Sequence, residues 1–235
     1  MHIVGLIFVA GVVLKSAAAA QESNATNKLD RFVYDRCRKY STQASAYDEI
    51  REHLGQFTDY LKYTASLLPQ GQEQFCKDEK SRLISLFANL VRDLKPCFPK
   101  EEQYLPKFMH ESFIAFMFFA CADGNIKNFF SSQGADCRRA LKENQAGNEV
   151  SNCFDSLFGR LDDVVRKDDL CRDLESAQKC FGMAIARSCP NFAGYESLNK
   201  KFFHAIRKPC NSDVSFGAGS LVLMIAAYIS TKILS

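Results

Sequence analysis

The sequence lacks the features that usually mark nucleic-acid-binding proteins and enzymes. Its 30 Lys and Arg residues barely exceed its 27 Asp and Glu residues, so the formal charge is only +3. Nucleic-acid binding therefore has no electrostatic basis. A glycine-rich phosphate loop, a Gly-x-Ser-x-Gly elbow and the paired histidines of a zinc-protease helix are also absent from the sequence. These absences predict a protein that is not an enzyme and that holds no cofactor.

Tryptophan is missing too, but the core does not depend on it. The chain of 235 residues has 20 Phe, 8 Tyr and a hydrophobic fraction of 47%, which is enough for a packed interior and excludes general disorder. The ten cysteines contain no C-x2-C or C-x4-C pair, which argues against a zinc site. The length fits one domain or two small ones.

Residues 1–20 have the pattern of a secretory signal peptide. An apolar run at 3–14 is followed by Ala18-Ala19-Ala20, which a signal peptidase accepts. A transmembrane anchor is the alternative, but the run is shorter than the roughly 20 apolar residues that span a bilayer. We predict cleavage after Ala20 and a flexible leader at 21–30. This leader would carry an N-glycan on Asn24, in the only Asn-x-Ser/Thr triplet of the chain.

Residues 211–235 have the order of a lipid-anchor signal. The small polar residues Asn211, Ser212 and Asp213 are followed by a spacer and by an apolar tail at 221–235. A transamidase cuts such a signal at a small residue and attaches glycosylphosphatidylinositol, and Asn211 is the predicted attachment residue. A spanning helix is less well supported because Lys232 interrupts the tail and no basic flank follows. An unprocessed tail on a soluble secreted protein is the other alternative.

Secretion determines how the cysteines are interpreted, because thiols pair into disulfides in the oxidising secretory pathway. All ten cysteines follow the predicted cleavage site, and their even number leaves no obligatory free thiol. They are Cys37, Cys76, Cys97, Cys121, Cys137, Cys153, Cys171, Cys180, Cys189 and Cys210.

The region 31–210 is predicted to be one all-α domain, a disulfide-stapled bundle of roughly six to eight helices arranged as antiparallel hairpins. Apolar residues recur there at spacings of three and four, and no long segment alternates as a β-strand would. Proline residues follow several of these apolar stripes and predict where the helices end. The stripes lie at 47–68, 83–94, 150–165, 174–185 and 198–206.

Helical hairpins predict two of the disulfides. In an antiparallel pair the start of one helix lies beside the end of the next, so Cys76 is expected to pair with Cys121 and Cys171 with Cys210. Cys171 and Cys189 bracket a single predicted helix and should be about 25 Å apart, far beyond the roughly 7 Å limit for bridged Cα atoms. These two cannot pair with each other, and the other pairings stay open.

The segment 113–122 is apolar on all sides and ends before Asp123-Gly124. A helix of this kind lies at the centre of a bundle, and it is too short to span a membrane. Packing in the core is therefore the first interpretation, and the lining of an apolar ligand cavity is the alternative. The residues that would line such a cavity are Phe113, Phe116, Phe118, Phe119, Phe129 and Phe130.

The histidines that follow the cleavage site predict no chemistry. His53 lies on a polar helix face, where we expect it to be solvated, and His204 is near Arg207 and Lys208. His110 lacks the second histidine of a zinc-binding helix. An enzyme would require a cleft that holds His110 or His204 against a buried carboxylate.

The order and surroundings of nine cysteines resemble a known family. The motifs are Phe75-Cys76-Lys77, Lys95-Pro96-Cys97, Phe119-Ala120-Cys121, Cys137, Asn152-Cys153-Phe154, Leu170-Cys171-Arg172-Asp173-Leu174, Gln178-Lys179-Cys180, Ser188-Cys189 and Ile206-Arg207-Lys208-Pro209-Cys210. This order looks like the insect 27 kDa haemolymph glycoprotein family, a secreted, cysteine-rich, helical group of unknown function. Cys37 looks like the tenth cysteine of the pattern. The single Asn-x-Ser/Thr triplet and the lipid-anchor signal depart from that family's soluble, several-times glycosylated members.

Together these patterns predict a non-enzymatic extracellular glycoprotein, held at the outer face of the plasma membrane by a lipid anchor. It would bind an extracellular protein or a small apolar ligand. The alternative is a structural or adhesive surface protein, or a soluble haemolymph protein, without a ligand cavity. A solid interior with an exposed apolar patch would favour an adhesive role.

Overall fold

The computed structural model describes residues 22–68, 70–122, 125, 136–137, 153, 164–190 and 194–211, with side chains from residue 31 onward. The predicted cleavage site at Ala20, the apolar tail, Phe129, Phe130 and most of the stripe at 150–165 lie outside these residues. Within the described ranges every regular element is helical, which confirms the predicted all-α class.

Six helices of twelve or more residues form the described fold. They are α1 (Glu22–Tyr40), α2 (Ala46–Ser66), α3 (Lys80–Leu94), α4 (Leu105–Cys121), α5 (Lys167–Ser188) and α6 (Tyr195–Ile206). One α-helical turn and a π-helical turn lead into α3, and three short 3-10 turns follow α3, precede α4 and follow α6. These turns are Gln72–Gln74, Phe75–Glu79, Lys95–Cys97, Lys100–Glu102 and Lys208–Asn211.

Helix α1 begins at Glu22, so residues 22–30 are helical where the sequence predicts a flexible leader. The segment contains neither proline nor glycine, and its helical spacing continues into Phe32 and Val33, which are buried in the core. Because no residue of the segment breaks a helix, the helix that Phe32 and Val33 anchor in the core continues to Glu22. Asn24 therefore lies near the start of α1.

Helices α2, α3 and α4 form the centre of the bundle. The rings of Phe57, Phe87 and Phe113, one from each helix, are fully buried, with centroid separations of 5.2, 5.6 and 4.2 Å. The apolar stripe of α3 is buried as predicted, and the helix gives way to a 3-10 turn that contains Pro96. None of the described helices combines the length and the hydropathy needed to cross a membrane.

Helices α5 and α6 form a second hairpin that packs on α4. The rings of Phe119 in α4 and Phe202 in α6 have centroids 6.2 Å apart. Nearby, the buried hydroxyl of Ser112 donates a hydrogen bond to the carbonyl oxygen of Ile206 at 2.8 Å. As residue numbers rise along α6 they fall along α4, so the two helices are antiparallel.

All ten cysteines are paired in disulfides, and none is free. The pairs are Cys37–Cys97, Cys76–Cys121, Cys137–Cys189, Cys153–Cys180 and Cys171–Cys210. Cys76–Cys121 and Cys171–Cys210 are the two bridges that hairpin geometry predicts, with Cα separations of 5.6 and 5.7 Å. Each of these two bridges links neighbouring antiparallel helices.

The bundle consequently has two distinct ends. At the Cys121 end, α2 and α4 finish and α3 begins, and the Cys76–Cys121 bridge lies there. At the Cys210 end, α4 and α5 begin: the Tyr104 hydroxyl donates to the Val165 carbonyl at 3.4 Å, and the Cys171–Cys210 bridge holds the turn after α6. The two ends are separated by roughly 20 to 25 Å, the length of α4.

Candidate functional site

The phenylalanines predicted to line a cavity divide into two groups. Phe113, Phe116 and Phe119 are buried, and their rings contact those of other aromatic residues, as expected for core packing. Phe118 is 60% exposed, so it lines no internal cavity, which corrects that part of the cavity hypothesis. Helix α4 packs against α3 on one side and α6 on another, and Phe118 lies on the strip of surface left between its partners.

Two sets of aromatic and cationic side chains lie at the Cys121 end, one around Phe118 and one around Tyr60, and together they are called here the aromatic surface. Its members are Tyr60, Tyr63, Lys80, Arg82 and Phe118. Tyr63 is 46% exposed, and its ring centroid lies 5.7 Å from that of Tyr60. The Lys80 Nζ lies 4.6 Å from the centroid of the Phe118 ring, and the Arg82 Cζ lies 4.5 Å from that of Tyr60. Both cations therefore lie over aromatic rings.

A carboxylate organises the tyrosines of the aromatic surface. The hydroxyl groups of Tyr60 and Tyr63 both donate hydrogen bonds to Glu79, the latter at 3.4 Å. Burial, and then the hydrogen bond to Glu79, raise the pKa of Tyr60 to about 12. The Tyr60 hydroxyl, which is protonated at neutral pH, is held by Glu79, and this hydrogen bond restrains the ring that Arg82 covers.

Covalent and helical geometry hold this surface in place. Glu79 is the last residue of the π-helical turn, a conformation often found at functional sites. Phe75, the first residue of that turn, is buried, and the next residue, Cys76, is bonded to Cys121 at the end of α4. The aromatic surface is therefore built on rigid elements from three helices.

The sequence gives only a faint signal for this arrangement. Tyr60 and Tyr63 stand three residues apart and fall outside the apolar stripe of α2, which favours two aromatic rings on the same exposed side. Phe118 gives no signal, because a helix that is apolar all round does not reveal which of its residues faces solvent. Glu79, Lys80 and Arg82 are ordinary charged residues until the fold brings them to the tyrosines and to Phe118.

The histidines occupy separate environments. The His53 Nδ1 forms a hydrogen bond with the Asp93 Oδ2, so this side chain is partly buried against α3. The sequence predicts instead that His53 is fully solvated. His204 is exposed on α6, and the buried Nε2 of His110 has no hydrogen-bond partner within the described residues. In the same ranges, no three His, Cys, Asp or Glu side chains cluster closely enough to hold a metal ion.

The residues predicted to be modified lie at the ends of the described chain. Asn24 is in the helical part of α1 whose side chains are not described, and Asn211 is exposed at the last described position. Asn211 directly follows Cys210, whose disulfide fixes the backbone to α5. Any group attached to Asn211 would therefore be held next to the bundle.

Comparisons with models of protein families, with curated proteins and with solved structures found no match to this chain. The resemblance to the haemolymph glycoprotein family therefore stays a prediction. Function is inferred from the residues of this chain.

Proposed function

We propose that this chain is a non-enzymatic extracellular protein that binds another extracellular protein through its aromatic surface. The observation that supports this best is the exposure of Phe118 and Tyr63 on a rigid, disulfide-stapled end of the bundle. Aromatic residues and arginine are enriched at the energetic centres of protein interfaces, because they bury a large area at a low cost in conformational entropy. The cations above the rings favour a partner with acidic residues around an apolar patch.

An extracellular location is supported by the cysteines. Ten cysteines in five disulfides are rare in reducing compartments and common in secreted proteins. If the proposal is correct, protein that is isolated and then unfolded without a reductant has no free cysteine for a thiol-alkylating reagent to modify. Recovery of the native protein with most of its thiols alkylatable would contradict it.

Attachment to the membrane through Asn211 is part of the proposal. It is supported by the order of small residues, spacer and apolar tail at 211–235. Phosphatidylinositol-specific phospholipase C should release the protein from intact cells into the medium. An Asn211→Pro variant tests whether this position is the attachment residue. No release by the lipase, with the protein found free in the medium, would contradict the anchor.

The binding proposal is tested by competition on intact cells. Labelled wild-type protein is bound to cells of the tissue that expresses it, and unlabelled protein is added as the competitor. Unlabelled wild type should displace the label, whereas a Tyr63→Ser/Phe118→Ser variant should displace it poorly. Met183, which is 56% exposed on α5 and outside the aromatic surface, provides the control variant Met183→Ser, which should compete like wild type.

Two outcomes of this assay would contradict the proposal. If the Tyr63→Ser/Phe118→Ser variant displaces the labelled protein as well as wild type does, the aromatic surface is not the binding site. Absence of saturable binding would contradict the binding function itself.

An adhesive role is the second candidate, and the same exposed rings favour it. The occupant of the aromatic surface would then be a second copy of the chain on a neighbouring cell. Aggregation of cells that display the wild type, and its loss with Phe118→Ser, would favour adhesion over binding to a different protein. Binding of a small apolar ligand has weaker support, because Phe113, Phe116 and Phe119 are packed against other rings.

A further inference from the structure

Two of the five disulfides are accessible from solvent in the folded protein. In each of the other three, at least one cysteine is buried. All four cysteines of Cys76–Cys121 and Cys171–Cys210 are partly exposed. Access for an attacking thiolate is one of the factors that determine how fast a disulfide is reduced. These two bridges are therefore the candidates for thiol–disulfide exchange without unfolding.

An ammonium group lies beside the first of these bridges. Lys80 follows Cys76 by four residues of continuous helix, a spacing that places two side chains on the same side. Phe118 precedes Cys121 by three residues in α4, with the same result. The Lys80 Nζ lies 4.6 Å from the centroid of the Phe118 ring, so this contact and the disulfide join the same two helical segments side by side. Within the described part of the chain, Lys80 forms no ion pair.

The second bridge has a different electrostatic environment. One turn after Cys171 stands Glu175, a carboxylate rather than an ammonium. Its oxygens lie 2.9 Å from the Lys179 Nζ and 3.5 Å from an Arg207 nitrogen, so these two cations are already paired. Lys208 precedes the other cysteine of this bridge by two residues in a 3-10 turn, which has three residues per turn, so the two side chains point to different sides. Because an adjacent cation favours the thiolate that leaves when a disulfide breaks, the first bridge is the more easily reduced.

The two sulfur atoms of the first bridge are not equivalent. Cys121 is the last residue of α4, where the partial negative charge of the helix end disfavours a thiolate. Cys76 has Lys80 one turn away, and this ammonium favours a thiolate. An attacking thiolate is therefore expected to bond to the Cys121 Sγ and to expel Cys76.

We propose that Cys76–Cys121 is a modification site that a dithiol reductant opens, and that opening it impairs binding through the aromatic surface. The inference rests on the proposed binding function of that surface. Cys76 stands three residues before Glu79, which accepts hydrogen bonds from both tyrosines of the surface, and Cys121 stands three residues after Phe118. Opening the bridge frees the two segments that position these side chains. The rest of the bundle keeps four disulfides and its aromatic core.

The exchange transfers two electrons from the reductant to the protein. One thiolate of the dithiol bonds to the Cys121 Sγ, the S–S bond of the protein breaks, and its electron pair goes to the Cys76 Sγ, which takes a proton from water. The second thiol of the reductant loses its proton and attacks the mixed disulfide, which expels Cys121 as a thiolate that is protonated in turn. The products are the protein with two thiols and the reductant with an intramolecular disulfide.

Limited reduction of the native, oxidised protein tests the site. The protein is treated with increasing amounts of dithiothreitol, and the thiols that form are alkylated. The remaining disulfides are then reduced and alkylated with a second reagent, and mass spectrometry identifies which cysteines opened first. Cys76 and Cys121 should open together and before Cys171 and Cys210, while circular dichroism shows that the helices are retained. Earlier opening of any other bridge would overturn the proposal.

Substitution of Lys80 tests the electrostatic argument. Lys80→Gln should slow the opening of the Cys76–Cys121 bridge several-fold, whereas Lys80→Arg, which keeps the charge, should open at close to the wild-type rate. Lys107→Gln removes the same charge near the start of α4, roughly 20 Å from the bridge, and should leave the rate unchanged. Equal slowing by Lys80→Gln and Lys107→Gln would show an effect of overall charge and would overturn the role of Lys80.

A monothiol identifies the sulfur that is attacked. The protein is incubated with reduced glutathione, and an excess of N-ethylmaleimide then traps the mixed disulfide. Glutathione should be found on Cys121 and the maleimide on Cys76. The opposite distribution would overturn the proposed direction of the exchange.

Competition on intact cells measures the effect on binding. Protein opened and alkylated only at Cys76 and Cys121 should displace labelled wild type poorly, whereas protein that is opened and then reoxidised should compete like untreated protein. Full competition by the alkylated form would overturn the proposed effect on the aromatic surface. If untreated protein shows no saturable binding, the binding function is wrong, but the order in which the disulfides open still decides whether this bridge is a modification site.

Discussion

Glu102 and Arg36 form an ion pair across 66 residues of sequence, with the Arg36 Nη2 3.1 Å from the Glu102 Oε1. The same carboxylate oxygen accepts the backbone N–H of Val165 at 3.0 Å. The other oxygen, Oε2, is buried and has no hydrogen-bond partner within the described residues. One carboxylate thus links α1, the 3-10 turn before α4 and the segment before α5.

This arrangement predicts an unusual pH dependence. Glu102 is 0% exposed, and burial raises the pKa of its carboxyl despite the opposing effects of the Val165 N–H and Arg36. A raised pKa in the folded state means that the contribution to stability is complete below the unfolded value, roughly 4.3, and is lost as the pH rises through the folded pKa. Relative to Glu102→Gln, the wild type should therefore gain free energy of unfolding as the pH falls from 7. Urea unfolding followed by circular dichroism measures this difference.

Arg36→Met provides the matched variant. Removing the guanidinium removes an interaction that lowers the pKa of Glu102, so the pH-dependent loss of stability should extend to a higher pH than in the wild type. If the unfolding free energies of the wild type and Glu102→Gln differ by a constant at all pH values, Glu102 does not titrate with a shifted pKa and the interpretation is wrong.

Phe113 and Phe118 test the division of α4 into a buried and an exposed side. Phe113→Ala removes a fully buried ring and should lower the free energy of unfolding by about 3 to 5 kcal/mol. Phe118→Ala removes an exposed ring and should change it by less than about 0.5 kcal/mol. Chemical denaturation measures both values, and a similar loss for the two variants would place Phe118 in the core.

Replacing each of three glycines with alanine should change the free energy of unfolding by a different amount, depending on what the added methyl group meets. A Cβ at Gly55 meets no atom within 4 Å, so Gly55→Ala should raise the free energy of unfolding by about 0.5 to 1 kcal/mol through helix propensity. At Gly182 the Cβ lies 3.3 Å from the Asn199 Nδ2, which reduces the gain. At Gly71 it lies 2.8 Å from the Leu67 carbonyl oxygen, so Gly71→Ala should be destabilising. The reverse order of melting temperatures would contradict these packing assignments.

The disulfides offer a test that separates stability from binding. Cys76→Ser/Cys121→Ser and Cys171→Ser/Cys210→Ser open loops with similar separations of 45 and 39 residues. Each double variant should lose about 4 kcal/mol of unfolding free energy. At a temperature where both are folded, only the first should compete poorly on cells, because Cys76 and Cys121 hold the aromatic surface. Equal competition would show that the bridge does not support that surface.

Local patterns account for most of what the sequence predicts correctly. The stripe from Leu83 to Leu94 identifies both the span and the buried side of α3, because burial of one helix face requires that spacing. The bridges Cys76–Cys121 and Cys171–Cys210 follow from neighbouring hairpins. Cys37–Cys97 does not, because its partners lie 60 residues apart and the docking of α1 cannot be deduced from periodicity.

The features that sequence reasoning misses depend on contacts between distant segments. Glu102 is a surface residue by composition, and only the approach of Arg36 and of the Val165 backbone makes its burial tolerable. Phe118 is exposed because of where α3 and α6 pack on α4. The cation–ring contacts and the tyrosine hydrogen bonds of the aromatic surface likewise form only after α2, α3 and α4 are assembled.

The order of the five disulfides along the chain divides the protein into two separately cross-linked halves. Cys37–Cys97 and Cys76–Cys121 overlap, as do Cys137–Cys189 and Cys171–Cys210, but no disulfide crosses from one set to the other. A protease cut anywhere within 38–120 or 138–209 would leave a single species on a denaturing gel without reductant. A cut between Cys121 and Cys137 would instead yield two bands, and in the native protein those halves would be joined only by non-covalent contacts such as that between Ser112 and Ile206.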